Sequence, residues 1–136
     1  MKKFALIFVF AMFFTASFAQ NQNNQNAVAT QQQNIVLKPK VFVEDLVLCW
    51  QLLANIEIKA TEVDLFLNVK SFLKPYIEKI QKENLQLNSN LELSAPLNTS
   101  NSMIQFLERA TIPAAQAERY KRFILAFQEA AKNYKP

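Results

Sequence analysis

Glu57, Glu62 and Asp64 place three carboxylates within one short stretch. Carboxylates that close together can hold a hard cation or divide general acid–base work between them. No calcium-loop pattern surrounds these three, and acids at a helix start account for Glu62 and Asp64 through the helix dipole. Arg119-Tyr120-Lys121-Arg122, with Lys132 and Lys135, is the second chemically suggestive group. Cations beside an aromatic ring suit nucleic acid or phospholipid. Here Tyr120 falls on an apolar helical face while Glu118 and Glu129 dilute the charge, so a solvated face is expected and no nucleic-acid partner. Cys49 is the only cysteine, which rules out an intramolecular disulfide; its neighbours are apolar, and it reads as a small buried hydrophobe.

Two absences narrow the chemistry further. The chain has no histidine and no glycine. Serine or cysteine nucleophiles activated by histidine and histidine-ligated metals are thereby excluded. Glycine-rich phosphate cradles and dinucleotide turns are excluded for want of the permissive backbone they use. The carboxylates, lysines and tyrosines that remain form no catalytic constellation. The expectation is a non-enzymatic protein with no metal and no cofactor.

The first residues carry an address. Lys2 and Lys3 precede an unbroken apolar run from Phe4 to Phe14, and Ser17-Phe18-Ala19 sets small residues at the −3 and −1 positions before Gln20. That order is the grammar of a secretory signal, expected over residues 1–19. The run meets Thr15 and Ser17 too early for a span of about 20 apolar residues. Removing the signal takes two lysines from a formal charge of +4, which weakens any general attraction to polyanions. An exported protein, periplasmic or extracellular and without a membrane span after cleavage, is expected. Residues 20–37 open with QNQNNQNAVATQQQN. So little apolar surface cannot offset ordering entropy, and this segment reads as a disordered Gln/Asn-rich tether. Residues 38–136 make one helical domain.

The elements that must position any site follow from periodicity. VFVEDLVLCWQLLANIEI, residues 41–58, has thirteen apolar residues and five polar ones. Phe42, Leu46, Cys49, Trp50, Leu53 and Ile56 share one helical face, and Val43, Val47, Leu48 and Leu52 widen it far beyond the stripe of a surface helix. A second helix is expected from Thr61 as N-cap, with Pro75 either kinking it or opening a new one. Residues 85–93, LQLNSNLEL, read as a fraying helix end and a loop, with a small hairpin as the alternative. Asn98-Thr99-Ser100 is a glycosylation sequon by pattern. Ser102 and Gln105 match a capping box that would start a third helix. Pro113 suits the first turn of a last helix, which is amphipathic and places Glu118 and Arg122 for an i,i+4 pair.

The predicted fold is all-α, a small bundle of four or five helices. Three explanations compete for the apolar surplus of residues 41–58. The helix can be the centre of a monomer. It can serve a homodimer or protein-partner interface through Val43, Val47, Leu48 and Leu52. Or the bundle can enclose an apolar ligand among Phe42, Trp50, Phe66, Phe72, Phe106 and Phe127. The resulting expectation is an exported interaction protein of adaptor, effector, inhibitor or immunity type. A carrier of lipid or another apolar small molecule is the alternative.

Overall fold

The computed structural model describes residues 35–135; the expected signal, residues 1–19, and the expected tether up to residue 34 lie outside the described residues. The described chain is mostly helical, with four α-helices and a small antiparallel β-element. In chain order come β1 (Val36–Leu37), β2 (Lys40–Phe42), α1 (Val43–Ala54), α2 (Val63–Lys82), β3 (Asn90–Glu92), β4 (Ala95–Pro96), α3 (Leu97–Leu107) and α4 (Ala117–Lys132). Short 3₁₀ turns at Ala60–Glu62 and Ala114–Gln116 lead into α2 and α4.

The surplus of α1 is absorbed inside the molecule. Val43, Leu46, Cys49 and Leu53 are all fully buried, because α1 packs against β2, α2, α3 and α4. A helix surrounded on this many sides must be apolar around most of its circumference, as its sequence is. Val69 and Leu73 of α2, Met103 and Leu107 of α3, and Phe123 and Phe127 of α4 complete one continuous core. Each such side chain contributes about 1.5–3 kcal/mol of transfer free energy.

α2 begins two residues after its expected cap. Thr61 lies in the 3₁₀ turn, and the turn is closed by the Lys59 N–H donating to the Glu62 carboxylate at 2.9 Å. The helix runs unbroken through Pro75. Pro75 and Ser71 are both exposed, so water can serve the Ser71 carbonyl that loses its intrahelical donor. α2 ends on Asn84, the one described residue with positive φ, at 47°. The Leu85 N–H reaches back to the Ile80 carbonyl, a Schellman closure in which asparagine takes glycine's usual place.

Residues 90–92 are a strand, but not in a local hairpin. β3 pairs with β2 and β4 with β1, both antiparallel. Val36 faces Pro96, Leu37 faces Ala95, and Lys40, Val41 and Phe42 face Glu92, Leu91 and Asn90 in the same register. The bonds from Leu97 N–H to the Ile35 carbonyl, Leu93 N–H to the Pro39 carbonyl and Val43 N–H to the Ser89 carbonyl extend it. The two pairs are therefore one ribbon, residues 35–43 against 89–97, nicked at Pro39, which has no N–H to return. A two-stranded local hairpin of LQLNSNLEL would have had no core to lie on; paired with 35–43, it buries Leu91 and Leu93. Val36 and Leu37, assigned by composition to the tether, belong to this ribbon, and Leu37 is buried.

α3 starts at Leu97, a full turn before the expected capping box, so Ser102 and Gln105 lie within the helix. The ribbon delivers the chain to Pro96 in an extended conformation, and the Leu97 N–H is already bonded across it. The sequon falls in this first turn. Ser100 is buried with its hydroxyl donating to the Pro96 carbonyl at 2.9 Å.

Candidate functional site: a cleft beside the end of α1

A cleft of about 760 Å³ lies where α1 ends. Leu48, Gln51, Leu52 and Asn55 of α1 form one wall and the connection Ile56–Lys59 continues it; Arg109–Thr111, Pro113 and Gln116 from the α3–α4 connection form the other. The cleft is open to solvent along one side, and polar and apolar groups line it about equally. α1 stops here because Asn55 turns back on it: its backbone N–H donates to Leu52 O at 3.0 Å and its side-chain amide to Gln51 O at 2.9 Å. Beyond Asn55 the chain leaves the helix and runs without regular secondary structure to Lys59, whose backbone is extended. Among the described residues the N–H groups of Ile56, Glu57 and Ile58 donate to no protein acceptor.

The two walls are joined at one end. Arg109 Nη1 donates to Glu62 Oε2 at 3.0 Å, while the same carboxylate accepts from the Lys59 backbone. The Lys59 N–H, and secondly Arg109, hold the Glu62 carboxyl below its ordinary value. The Arg109 guanidinium also lies 5.0 Å from the centre of the Phe106 ring. Of the acidic cluster read from sequence, Glu57 lines the cleft and Glu62 is this clasp, while Asp64 sits in the first turn of α2. Among the described residues no group of three or more Cys, Asp or Glu could hold a metal ion.

The residues expected to meet a partner are mostly covered by the chain itself. Val43, Leu48 and Leu52 are 0, 4 and 8% exposed, and Val47 is half-buried. The other elements of the same chain occupy that surface of α1. Only Leu48 and Leu52 reach the cleft, as part of its floor.

The six aromatic residues expected to line a cavity are not brought together. Phe66 and Phe106 pack edge-to-face at 5.4 Å, Phe72 meets Tyr76 edge-on at 5.6 Å, and Phe127 lies buried against Phe123 at 5.0 Å. Trp50 carries the Lys70 ammonium 3.2 Å from its ring centre, and Phe42 lies beneath the Arg122 guanidinium at 4.3 Å. Partial burial lowers the Lys70 pKa. None of the six lines the cleft. They pack against separate neighbours.

Sequence reasoning missed one polar feature altogether. Asp45, in the first turn of α1, is fully buried and receives two hydrogen bonds from Arg122, Nε to Oδ2 and Nη2 to Oδ1, both at 2.6 Å. Glu44 pairs with Arg122 and also with Arg119 at 3.1 Å. The basic run of α4 thus faces acids of α1, and Arg122 does not take the expected local pair with Glu118. Hydrogen bonding to Asp45 raises the Arg122 pKa still further. Cys49, fully buried, has its pKa raised by burial and then by the Asp45 charge. Among the described residues no helix is long and apolar enough to cross a membrane. Compared with known proteins, the chain matches no family model, no curated protein and no solved structure.

Proposed function

We propose that this chain is an exported, non-enzymatic interaction protein whose cleft beside α1 receives an extended segment of a protein partner. The observation that carries the reading is the wall Ile56–Ile58, outside any helix or strand, with Ile56 and Ile58 half-buried and with backbone donors that no group of the described chain satisfies. A partner's main chain can satisfy those donors while its side chains settle on Leu48, Leu52 and Ile56. Gln51, Asn55 and Gln116 around the rim supply amides for orientation. Export is supported by the Lys2-Lys3, apolar-run and Ser17-Phe18-Ala19 sequence, and the non-enzymatic assignment by the missing histidine and glycine. An apolar-ligand carrier draws less support, because its aromatic residues are dispersed and the cleft lies open.

The test places a photo-crosslinking side chain at Ile58 or Thr111 in the native cell, with Lys121 as control. The reading expects one partner peptide crosslinked at both cleft positions and not at Lys121. That peptide, synthesised, should bind the chain and lose affinity with Ile58→Asp. Mass spectrometry of the same preparation should give a chain beginning at Gln20. Residues 1–19 retained on a cytoplasmic protein overturn export; crosslinks shared with Lys121, or a co-purifying small molecule in the cleft, overturn the partner assignment.

A further inference from the structure

We propose that the outer edge of the 35–43 strand, together with α4, is a second docking groove, built to take an acidic partner segment as an added β-strand. The register of the ribbon decides which backbone groups are free. Ile35 and Pro39 accept from the opposite strand and Val43 donates to it, so the odd residues spend their polar groups on the ladder. The N–H and C=O of Val36, Lys38 and Lys40 point the other way, and among the described residues these amides donate to nothing. The opposite strand is handled differently. Its outward Ser94 N–H is satisfied by the Tyr76 hydroxyl of α2 at 2.9 Å. Ser94 is capped in this way; Val36, Lys38 and Lys40 are not. Pro39 does not close the open edge either, because the position where its N–H is missing faces the ladder.

This open edge borders a groove of about 500 Å³ whose other wall is the last half of α4. Ala126 and Ala130 put small side chains on that wall. A strand edge beside a helix is a recurring way to hold an extended peptide, with main-chain bonds giving affinity and alternate side chains giving choice. Charge supplies the choice here. Lys38, Lys40 and Lys135 stand around the groove against the single carboxylate of Glu129. Lysines on an edge repel a second copy of the same edge. An acidic strand meets the opposite sign at alternate positions and is drawn to it. The groove shares no lining residue with the cleft beside α1, so the two proposals stand or fall separately.

The probe is a capped six-residue peptide alternating Glu and Val, compared with its Lys–Val counterpart, added to the full chain. The expected result is slowed hydrogen exchange at the amides of Val36, Lys38 and Lys40 with the acidic peptide alone. Reversing Lys38, Lys40 and Lys135 to Glu should weaken that peptide by roughly two- to fivefold per position at low salt and transfer binding to the lysine peptide. Lys40→Pro removes one edge donor and leaves the ladder intact; Ala130→Trp fills the groove from the helix side. Both should abolish the protection with the thermal transition retained, and the second keeps the test decisive if the first variant fails to fold. Equal binding of the two peptides, protection elsewhere only, or protection of the same amides by phosphatidylglycerol vesicles and not by peptide overturns the proposal.

Discussion

Asp45 shows how one side chain can tie together distant parts of this chain. Its carboxylate is fully buried, and its cation comes from 77 residues downstream. Removing the cation leaves an uncompensated buried charge, which costs far more than losing an exposed pair. Arg122→Ala should therefore destabilise by about 3 kcal/mol, whereas Arg119→Ala should cost less than about 1 kcal/mol; urea unfolding of the two variants checks the contrast. Glu62 gives a pH signature at the same scale. Its pKa is lowered in the folded chain, first by the Lys59 N–H and then by Arg109. Its contribution is complete above the ordinary carboxylate pKa and is lost as pH falls through the lowered folded value. Glu62→Gln should be less stable at neutral pH and show a flatter acid limb in thermal unfolding. Neither role was legible beforehand. Glu62 was read as a helix-start acid, and Asp45 not at all, because spacing along a helix reports only local partners and both cations lie far away in sequence.

At the scale of elements, periodicity located α1, α2 and α4, because their apolar faces recur at helical spacing and the core demands them. It failed at the junctions. The start of α3 is decided by the ribbon, through the Leu97 N–H bonded to Ile35 O, and a capping pattern five residues later could not compete. The pairing of 90–92 was equally invisible, since its partner strand, Lys40–Phe42, lies about fifty residues upstream, at the start of a stretch whose periodicity reads as helix. α2 carries two local compromises that can be relieved. Pro75→Ala restores a donor to the Ser71 carbonyl and should stabilise by about 2 kcal/mol. Asn84→Gly relieves a left-handed residue at the helix end and should add about 0.5 kcal/mol. Calorimetry of both variants checks these gains; if Pro75→Ala is neutral or destabilising, the proline is adapted to its neighbours in some further way.

The described residues share one core organised around α1, and most of the apolar surplus of residues 41–58 goes into it. Its boundary is set by burial: Leu37 is 3% exposed, although it lies beside a segment of glutamine and asparagine. Leu37→Ala should cost about 2–3 kcal/mol, a loss that a residue in a loose tether would not produce. The cleft could not have been found from sequence, because its walls come from two connections with no motif, joined only after α1, α2 and α3 are packed. The open ribbon edge was hidden for the same reason: which amides are free depends on register, and register is a property of two strands together.

Cys49 then acquires a use from its very inertness. It is fully buried near the middle of α1, it is the only thiol in the chain, and burial holds it protonated. A thiol reagent can reach it only when the central helix is laid bare, which requires the core to come apart. The native chain therefore carries its own unfolding clock. At high reagent concentration its labelling rate counts opening events, and at low concentration it reports their equilibrium.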